Sequence, residues 1–308
     1  MQSTDPSLEE QSHRHSLRRI DHLVLAGQDL AGLAELFTRL GFIVGARNRH
    51  PWGTQNHIIQ FDGCFIELIG VDPAFHLAPD HDPHNFSFSG FIGSFLKQGQ
   101  GGAMIALTSD NAQADARAFA VLGIGDFEPF HFERRGKKPD GSVIEVAFTL
   151  AFARSELMPG IGYFVCQHHF PENFWDPAFQ AHRNGAACVE AIVIVAENPA
   201  DHGAFLSHLT GVRSFAATSR GLSFELGNAG QRIDVLTPHA FRQQYGEEAL
   251  PDEPSGPVIA GCVIGVGDEA RLIECMGAVN VEFRRAGDML VIGPETVPGL
   301  AIAFRKVR

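Results

Sequence analysis

The chain has 308 residues, which allows one large domain or two smaller ones, with an ample hydrophobic core in either case. It is acidic, with 36 Asp and Glu residues against 24 Lys and Arg residues and no basic stripe, so neither a nucleic acid nor an anionic membrane is expected as a partner. No apolar run approaches the ~20 residues that span a bilayer, and the polar segment Met1–Ser16 predicts a disordered tail rather than a signal peptide.

The first predicted unit lies between Ile20 and Val71. A buried strand is followed by an amphipathic helix with apolar side chains at i, i+3, i+4 and i+7, which Gly41 ends. An Asp-Gly hairpin turn joins the last two strands. The predicted elements are the strand Ile20–Leu25, the helix Leu30–Leu40, a further apolar run, and the strands His57–Phe61 and Cys64–Ile69.

This β-α-β-β-β pattern recurs three more times along the chain. The first strands of the later copies are predicted at Gly102–Leu107, Cys188–Val193 and Val258–Val263. Copies of roughly 70 to 85 residues are too small to bury a sheet face alone. We therefore predict an α+β fold in which four βαβββ modules form paired, cupped, mixed β-sheets with helices outside. The predicted division is a tail at residues 1–16, modules 1 and 2 at 17–185, and modules 3 and 4 at 186–308.

Two polar residues, His22 and Glu67, interrupt the first and last buried strands of the first unit. An unpaired buried carboxylate is costly, so each residue needs a partner or must face a wet cavity. A core histidine and an ion-paired carboxylate would explain either residue alone. Their joint position on the two terminal strands of one unit favours a functional site.

Several segments carry a resemblance to a known family. They are Ile20–Val24, Gly53–Asn56, Phe65–Ile69, Arg135 through Pro139-Asp140-Gly141, and Phe164–His168 followed by Pro171-Glu172. In this order and spacing they resemble the vicinal oxygen chelate superfamily, which includes glyoxalase I, extradiol dioxygenases, and the bleomycin and fosfomycin resistance proteins. The most similar branch is the glyoxalase-like domain group. The resemblance covers about half of the chain, from Leu17 to roughly Gly185.

The resemblance implies a metal site in the cup of modules 1 and 2, where the first and last strands of the paired copies converge. The implied ligands are His22 and Glu67 from copy 1 and His168 from copy 2. Adjacent strand residues point to opposite faces, so His169 replaces His168 if the register differs. Two His and one Glu leave coordination positions open, as in catalytic sites, and suit Mn²⁺, Ni²⁺, Zn²⁺ or Fe²⁺. We expect the ligand atoms to lie within about 4.5 Å of one another.

Five further residues are candidates for substrate binding. Trp52 could stack on a planar substrate, Asn56 could hydrogen-bond it, and Arg135 could bind an anion, with Gln167 and His169 as additional candidates. Trp52 and Asn56 also fit ordinary turn and packing roles, and Arg135 also fits hairpin geometry. These alternatives stay open at the level of sequence.

The leading functional hypothesis is a glyoxalase-like, metal-dependent lyase or isomerase acting on a small, oxygenated, partly hydrophobic metabolite. Glu67 or a metal-bound hydroxide would be the base. One alternative is a non-haem iron ring-cleaving dioxygenase, because two His and one Glu also describe the facial triad. Another is a non-catalytic small-molecule binding or resistance protein. A homodimer is compatible with the sequence.

Modules 3 and 4 are predicted to lack a metal site. Glu190 and Asp234 lie near the positions of Asp21 and Glu67, but no histidine accompanies them in a first or last strand. The five cysteines of the chain are scattered and odd in number, which predicts free thiols in a reducing compartment, the cytoplasm.

Overall fold

The computed structural model describes residues 17–74, 83–137, 143–227, 230–250 and 254–307. The predicted tail at residues 1–16 and the Pro139-Asp140-Gly141 turn lie outside these ranges. Within them the chain forms sixteen strands and seven α-helices. No described helix has both the length and the apolar character needed to cross a membrane.

The elements follow one another as four βαβββ modules. Module 1 contains β1 (Ile20–Ala26), α1 (Leu30–Arg39), β2 (Asn48–Arg49), β3 (Thr54–Phe61) and β4 (Cys64–Val71). After α2 (Phe88–Gln98), module 2 contains β5 (Gly101–Thr108), α3 (Ala112–Leu122), β6 (Phe130–Lys137), β7 (Val143–Ala153) and β8 (Gly162–His168). After α4 (Pro171–Phe174), module 3 contains β9 (Ala186–Val195), α5 (Gly203–Thr210), β10 (Ala216–Thr218), β11 (Gly221–Leu226) and β12 (Gln231–Leu236). After α6 (Pro238–Tyr245), module 4 contains β13 (Val258–Val266), α7 (Glu269–Ala278), β14 (Arg284–Ala286), β15 (Met289–Ile292) and β16 (Ala301–Lys306).

The strands pair in the same way in both halves of the chain. The first half has the strand order β2-β3-β4-β1-β5-β8-β7-β6, and the second has β10-β11-β12-β9-β13-β16-β15-β14. In each half the first and last strands of a module are parallel neighbours, and the first strands of the paired modules are antiparallel neighbours. The predicted α+β class and its four βαβββ modules are confirmed.

The two faces of the sheet belong to different hydrophobic cores. Leu23 and Leu25 of β1 lie in a core cluster that draws on all four modules and includes α1, α3, α5 and α7. Val24 and Ala26, on the other face, lie in a second cluster with residues of α2. The corresponding face of modules 3 and 4 is covered by α6. We call the face that carries Val24 the first cup and the face of modules 3 and 4 covered by α6 the second cup.

Where β5 and β13 pair, the two halves of the chain approach each other through backbone. Gly102 of β5 pairs with Ile259 of β13, and a Cβ at Gly102 would lie 2.6 Å from the Cβ of Ile259. Gly101 has a φ of 131°, and a Cβ there would lie 2.6 Å from the carbonyl oxygen of Gly299. Only glycine permits this approach.

Candidate functional site

The first cup encloses a cavity of about 110 Å³ beside α2. Its walls are mainly aromatic, and the polar groups that reach it come from both modules. The aromatic residues are Trp52, Phe65, Phe88, Phe132, Phe148, Phe164 and Phe174. The polar and charged residues are His22, Arg49, His50, Asn56, Glu67, Glu133 and Arg134.

His22 and Asp21 both contribute to this site although they are neighbours in one strand. The register between β1 and β5 shifts between Ile20 and His22, which is a bulge that breaks the regular alternation of faces. Asp21 is 2% exposed, and its Oδ1 accepts a 2.6 Å hydrogen bond from His22 Nδ1. In a neutral His22 ring, protonation at Nδ1 leaves the lone pair on Nε2. The ring itself is stacked on Phe65 at a centroid distance of 4.2 Å.

Glu67 faces His22 across the first cup. Its Oε2 lies 3.8 Å from His22 Nε2, which is too far for a hydrogen bond. Its Oε1 accepts a 2.5 Å hydrogen bond from Asn56 Nδ2. Asn56 is itself held by Asn48, whose Nδ2 donates to Asn56 Oδ1 at 3.1 Å. Glu67 is therefore fixed at one oxygen and available at the other.

His50 extends the polar network beyond Asn56. Its Nε2 is 3.4 Å from Asn56 Nδ2, and its Nδ1 is 2.8 Å from Thr54 Oγ1. Burial lowers the pKa of His50, and the charge of Glu67 offsets part of this effect while that of Arg134 adds to it. A neutral His50 can accept from Asn56 and so supports the orientation of the amide that holds Glu67.

His168 reaches the site through Asp21. Its Nε2 donates to Asp21 Oδ2 at 2.9 Å, while its Nδ1 is buried and has no hydrogen-bond partner among the described residues. Burial raises the pKa of Asp21, but the charges and hydrogen bonds of His168 and His22 outweigh this effect and lower the pKa to about 2. An ionised Asp21 can only accept, so it fixes a proton on His22 Nδ1 and another on His168 Nε2.

The expected metal triad is therefore rearranged. Among the described residues, three potential metal ligands have donor atoms that all lie within 4.8 Å of one another. They are Asp21, Cys166 and His168. The ligand atoms of His22, Glu67 and His168 therefore do not converge within about 4.5 Å as expected. Asp21 joins His168 to His22 instead. Cys166 lines the cavity, and burial raises the pKa of its thiol well above the ordinary value, so the thiol is protonated.

The substrate-binding candidates divide between the two faces of the sheet. Trp52 and Asn56 line the cavity. Gln167 accepts a hydrogen bond at 3.1 Å from the backbone N–H of Ala112 in the first turn of α3, and so lies on the helix side. His169 Nε2 is 2.7 Å from Thr149 Oγ1. Thr149 is the cross-strand partner of Gln167, so His169 lies on the same face as Gln167, away from the cavity.

Arg135 also lies away from the cavity. Its side chain is 72% exposed and is 3.9 Å from Glu145. The preceding residue, Arg134, lines the cavity and was not predicted. The alternation of Phe130, Phe132 and Arg134 in the sequence is the signal that places Arg134 on the aromatic face.

Two donor atoms of the site, His22 Nε2 and Glu67 Oε2, lie 3.8 Å apart and fit adjacent ligand positions on one divalent metal ion. Histidine ligands usually donate their second ring nitrogen to a carboxylate, and ligating carboxylates are also hydrogen-bonded. Asp21 accepts such hydrogen bonds from His22 and His168, and Asn56 donates one to Glu67. His168 Nδ1 is also buried and without a partner among the described residues, but it does not lie within 4.8 Å of both other atoms.

Modules of this topology, paired about antiparallel first strands, define the vicinal oxygen chelate fold. A profile of the glyoxalase-like domain family matches residues 20–210, and the chain belongs to this family. No curated protein sequence matches the chain.

Solved structures share the fold at low sequence identity. A hypothetical protein from Staphylococcus aureus is 12% identical, with a TM-score of 0.65 over 94% of this chain and 100% of that one. A mutant of 4-hydroxymandelate synthase from Streptomyces coelicolor is 10% identical, with a TM-score of 0.59 over 94% and 93%. A xylose isomerase-like TIM barrel/4-hydroxyphenylpyruvate dioxygenase fusion protein is 14% identical, with a TM-score of 0.53 over 94% of this chain and 49% of the fusion.

Proposed function

We propose that the first cup is the active site of a metal-dependent enzyme acting on a small, oxygenated, partly hydrophobic compound. The observation that carries this proposal is that His22 Nε2 lies 3.8 Å from Glu67 Oε2 in an aromatic cavity. The second polar atom of each side chain, His22 Nδ1 and Glu67 Oε1, is hydrogen-bonded to a buried polar partner. At 3.8 Å the two atoms do not hydrogen-bond to each other, so both remain available to a ligand.

His22 and Glu67 would hold the ion, and His168, which is linked to His22 through Asp21, would become the third ligand when the site closes around the ion. When bound, a divalent ion would supply Lewis-acid stabilisation of negative charge on substrate oxygens. Glu67 Oε2 would accept a substrate proton after it is displaced from the ion, because Asn56 occupies Oε1. Proton transfer at this atom supports lyase or isomerase chemistry. The aromatic walls exclude water and bind the apolar part of the substrate.

Metal content and thermal stability test the proposal. Protein purified without a His-tag is analysed for metal, stripped, and melted with Mn²⁺, Ni²⁺, Zn²⁺ or Fe²⁺. Metal that binds only the folded state at a hundredfold excess over Kd stabilises by about 2.7 kcal/mol. His22→Ala and His168→Ala should lose this stabilisation. His169→Ala, which changes the adjacent imidazole on the other face, should retain it.

Equal metal-induced shifts in wild type and His22→Ala would place the binding elsewhere and refute the site. Oxygen consumption with catechols after anaerobic Fe²⁺ loading would replace the proposed chemistry with ring-cleaving dioxygenation. Ligand binding without any metal response would favour a binding or resistance protein. All five cysteines are free thiols, which supports a cytoplasmic location for this activity.

A further inference from the structure

Arg134 occupies a distinctive position in the first cup. It follows Phe130 and Phe132 at alternate positions of β6, so the three side chains share one face of the strand. Phe132 and Arg134 both line the cavity, and their partners across the sheet are Phe148 and Val146. The guanidinium therefore lies at the end of an aromatic wall.

Arg134 has no counter-ion of its own. It makes no hydrogen bond and no ion pair within 4.0 Å with any residue that the structure describes. Arg134 is an exposed residue, so its guanidinium lies at the open end of the cavity. Partial desolvation lowers the pKa of Arg134, and the charge of Glu67 offsets part of this effect without forming a pair. In contrast, Arg49 at the same cavity is 3.6 Å from Asp72. Arg134 is thus a cation available to a ligand.

Trp52 supplies a second donor in the same wall. Its indole Nε1 is buried and has no partner among the described residues. The ring is stacked on His50 at 4.6 Å and stands edge-on to Phe130 and Phe132, each at 5.0 Å. A buried donor without an acceptor is destabilising, so an acceptor on a ligand would bind favourably here.

We propose that the first cup selects an aromatic carboxylate, with its ring between the phenylalanine walls and its carboxylate on Arg134. This inference rests on the proposed function in taking the first cup as the substrate site. The planar guanidinium fork matches a carboxylate in two parallel hydrogen bonds. The 110 Å³ cavity is on the scale of one aromatic ring, since an apolar cavity of roughly 150 Å³ holds benzene.

Matched ligands test the charge requirement. Benzoate and phenylacetate are compared with benzamide and phenylacetamide, which keep the shape but lose the charge, and with inorganic phosphate, which lacks the ring. Binding is measured by calorimetry and by tryptophan fluorescence, because the two tryptophans of the chain, Trp52 and Trp175, both border the site. In metal-free protein the carboxylates should bind at least about tenfold more tightly than the amides, since hydrogen bonds to charged groups are the stronger ones. Amides that bind as tightly as the carboxylates, or phosphate that binds as tightly as benzoate, overturn the inference.

Two neighbouring arginines provide the variant and its control. Arg134→Gln should lose the tenfold preference for carboxylates while amide affinity stays unchanged. Arg135→Gln removes an equal charge on the other face, where the side chain is 72% exposed, and should behave as wild type. If both variants lost the carboxylate preference equally, the preference would come from positive charge in general and not from contact with Arg134, and the assignment of Arg134 would be overturned.

The same proteins separate this inference from the proposed function. Arg134→Gln should keep the metal-induced rise in melting temperature, and His22→Ala should keep the carboxylate preference in metal-free protein. If wild type responds to metal but shows no carboxylate preference, only the substrate class is wrong. If it shows the preference but no metal response, the inference holds and the metal-dependent function is wrong.

Discussion

The two cups have equivalent acids with different partners. Val24 pairs with Glu67 in β1 and β4, and Val193 pairs with Asp234 in β9 and β12, so the two acids occupy the same position. The strand registers of the two halves also show which residues of the first cup and of the second cup occupy equivalent positions, and five such pairs matter here. They are Asp21 and Glu190, His22 and Ala191, Phe65 and Arg232, Glu67 and Asp234, and Cys166 and Arg305.

In the second cup both acids are neutralised by arginine. Arg232 Nε donates to Asp234 at 2.8 Å, and Arg305 forms an ion pair with Glu190. Arginine stays protonated and has no lone pair to offer, whereas a neutral imidazole keeps one nitrogen as an acceptor or ligand. A buried acid paired with arginine is neutralised, whereas an acid beside a neutral imidazole lies next to a nitrogen that can still bind a metal ion or a substrate.

The helices that cover the cups also differ. The helix α6 places Phe241 and Tyr245, both nearly inaccessible, in the core of the second cup. In the first cup α2 contributes Phe88 and Ile92 to the core but leaves the cavity beside His22 and Glu67. The second cup is therefore filled by its own chain, and the first has space for a ligand.

The largest expected effect concerns this filling. Phe241→Ala should lower the free energy of unfolding by about 3–5 kcal/mol, because it opens a cavity in a closed core. Phe132→Ala, which enlarges an existing cavity, should cost less than about half as much. Urea unfolding of both variants measures the difference; similar losses would show that the two cups are packed alike.

A smaller effect is expected from breaking a neutralised acid. Arg232→Ala leaves Asp234, whose side chain is 8% exposed, without its ion pair, and should cost about 3 kcal/mol. Chemical denaturation measures the loss, and Arg232→Met combined with Asp234→Asn should recover much of it. In the first cup His22→Ala should cost less, because His22 lies 3.8 Å from Glu67 without a hydrogen bond, whereas Arg232 donates directly to Asp234. If His22→Ala lowered the free energy of unfolding more than Arg232→Ala, the acid of the first cup and not that of the second would have the structural role.

The smallest expected effect is a pH dependence confined to the second cup. Burial, with a contribution from Asp234, raises the pKa of Tyr245 to about 12, against about 10 in the unfolded chain. Stability from the neutral phenol is present below pH 10 and is lost as the pH rises towards 12, on the order of 2 kcal/mol. Tyr245→Phe should lack this part of the alkaline loss in melts between pH 9 and 12. Parallel curves for the two proteins would argue against the shift.

Much of the fold could be predicted because each module repeats the same local pattern. The strand and helix periodicities of the first unit indicate β1, α1, β3 and β4 within a few residues. His22 and Glu67 stood out because a polar side chain in an apolar strand needs a reason. Trp52 and Asn56 could be placed near the site because the loop and strand that carry them adjoin Glu67.

The part that could not be predicted depends on partners distant in sequence. Regular alternation puts Asp21 on the opposite face from His22, and only the pairing with β5 introduces the bulge that brings both to the site. His168 contacts Asp21 across 147 residues. The choice between Arg134 and Arg135 depends on which face of β6 lies inward. The short helix α6 is specified mainly by the cup that it covers, because helices of this length are marginal alone.

The glycine contacts between β5 and β13 have a consequence for how such a chain can diverge. Because Gly101, Gly102 and Gly299 leave no room for side chains, the contact between β5 and β13 is fixed by backbone. A substitution that changes only a side chain inside one cup leaves this contact as it is. The two cups can therefore carry different residues at equivalent positions, such as His22 and Ala191 or Phe65 and Arg232, on one shared sheet.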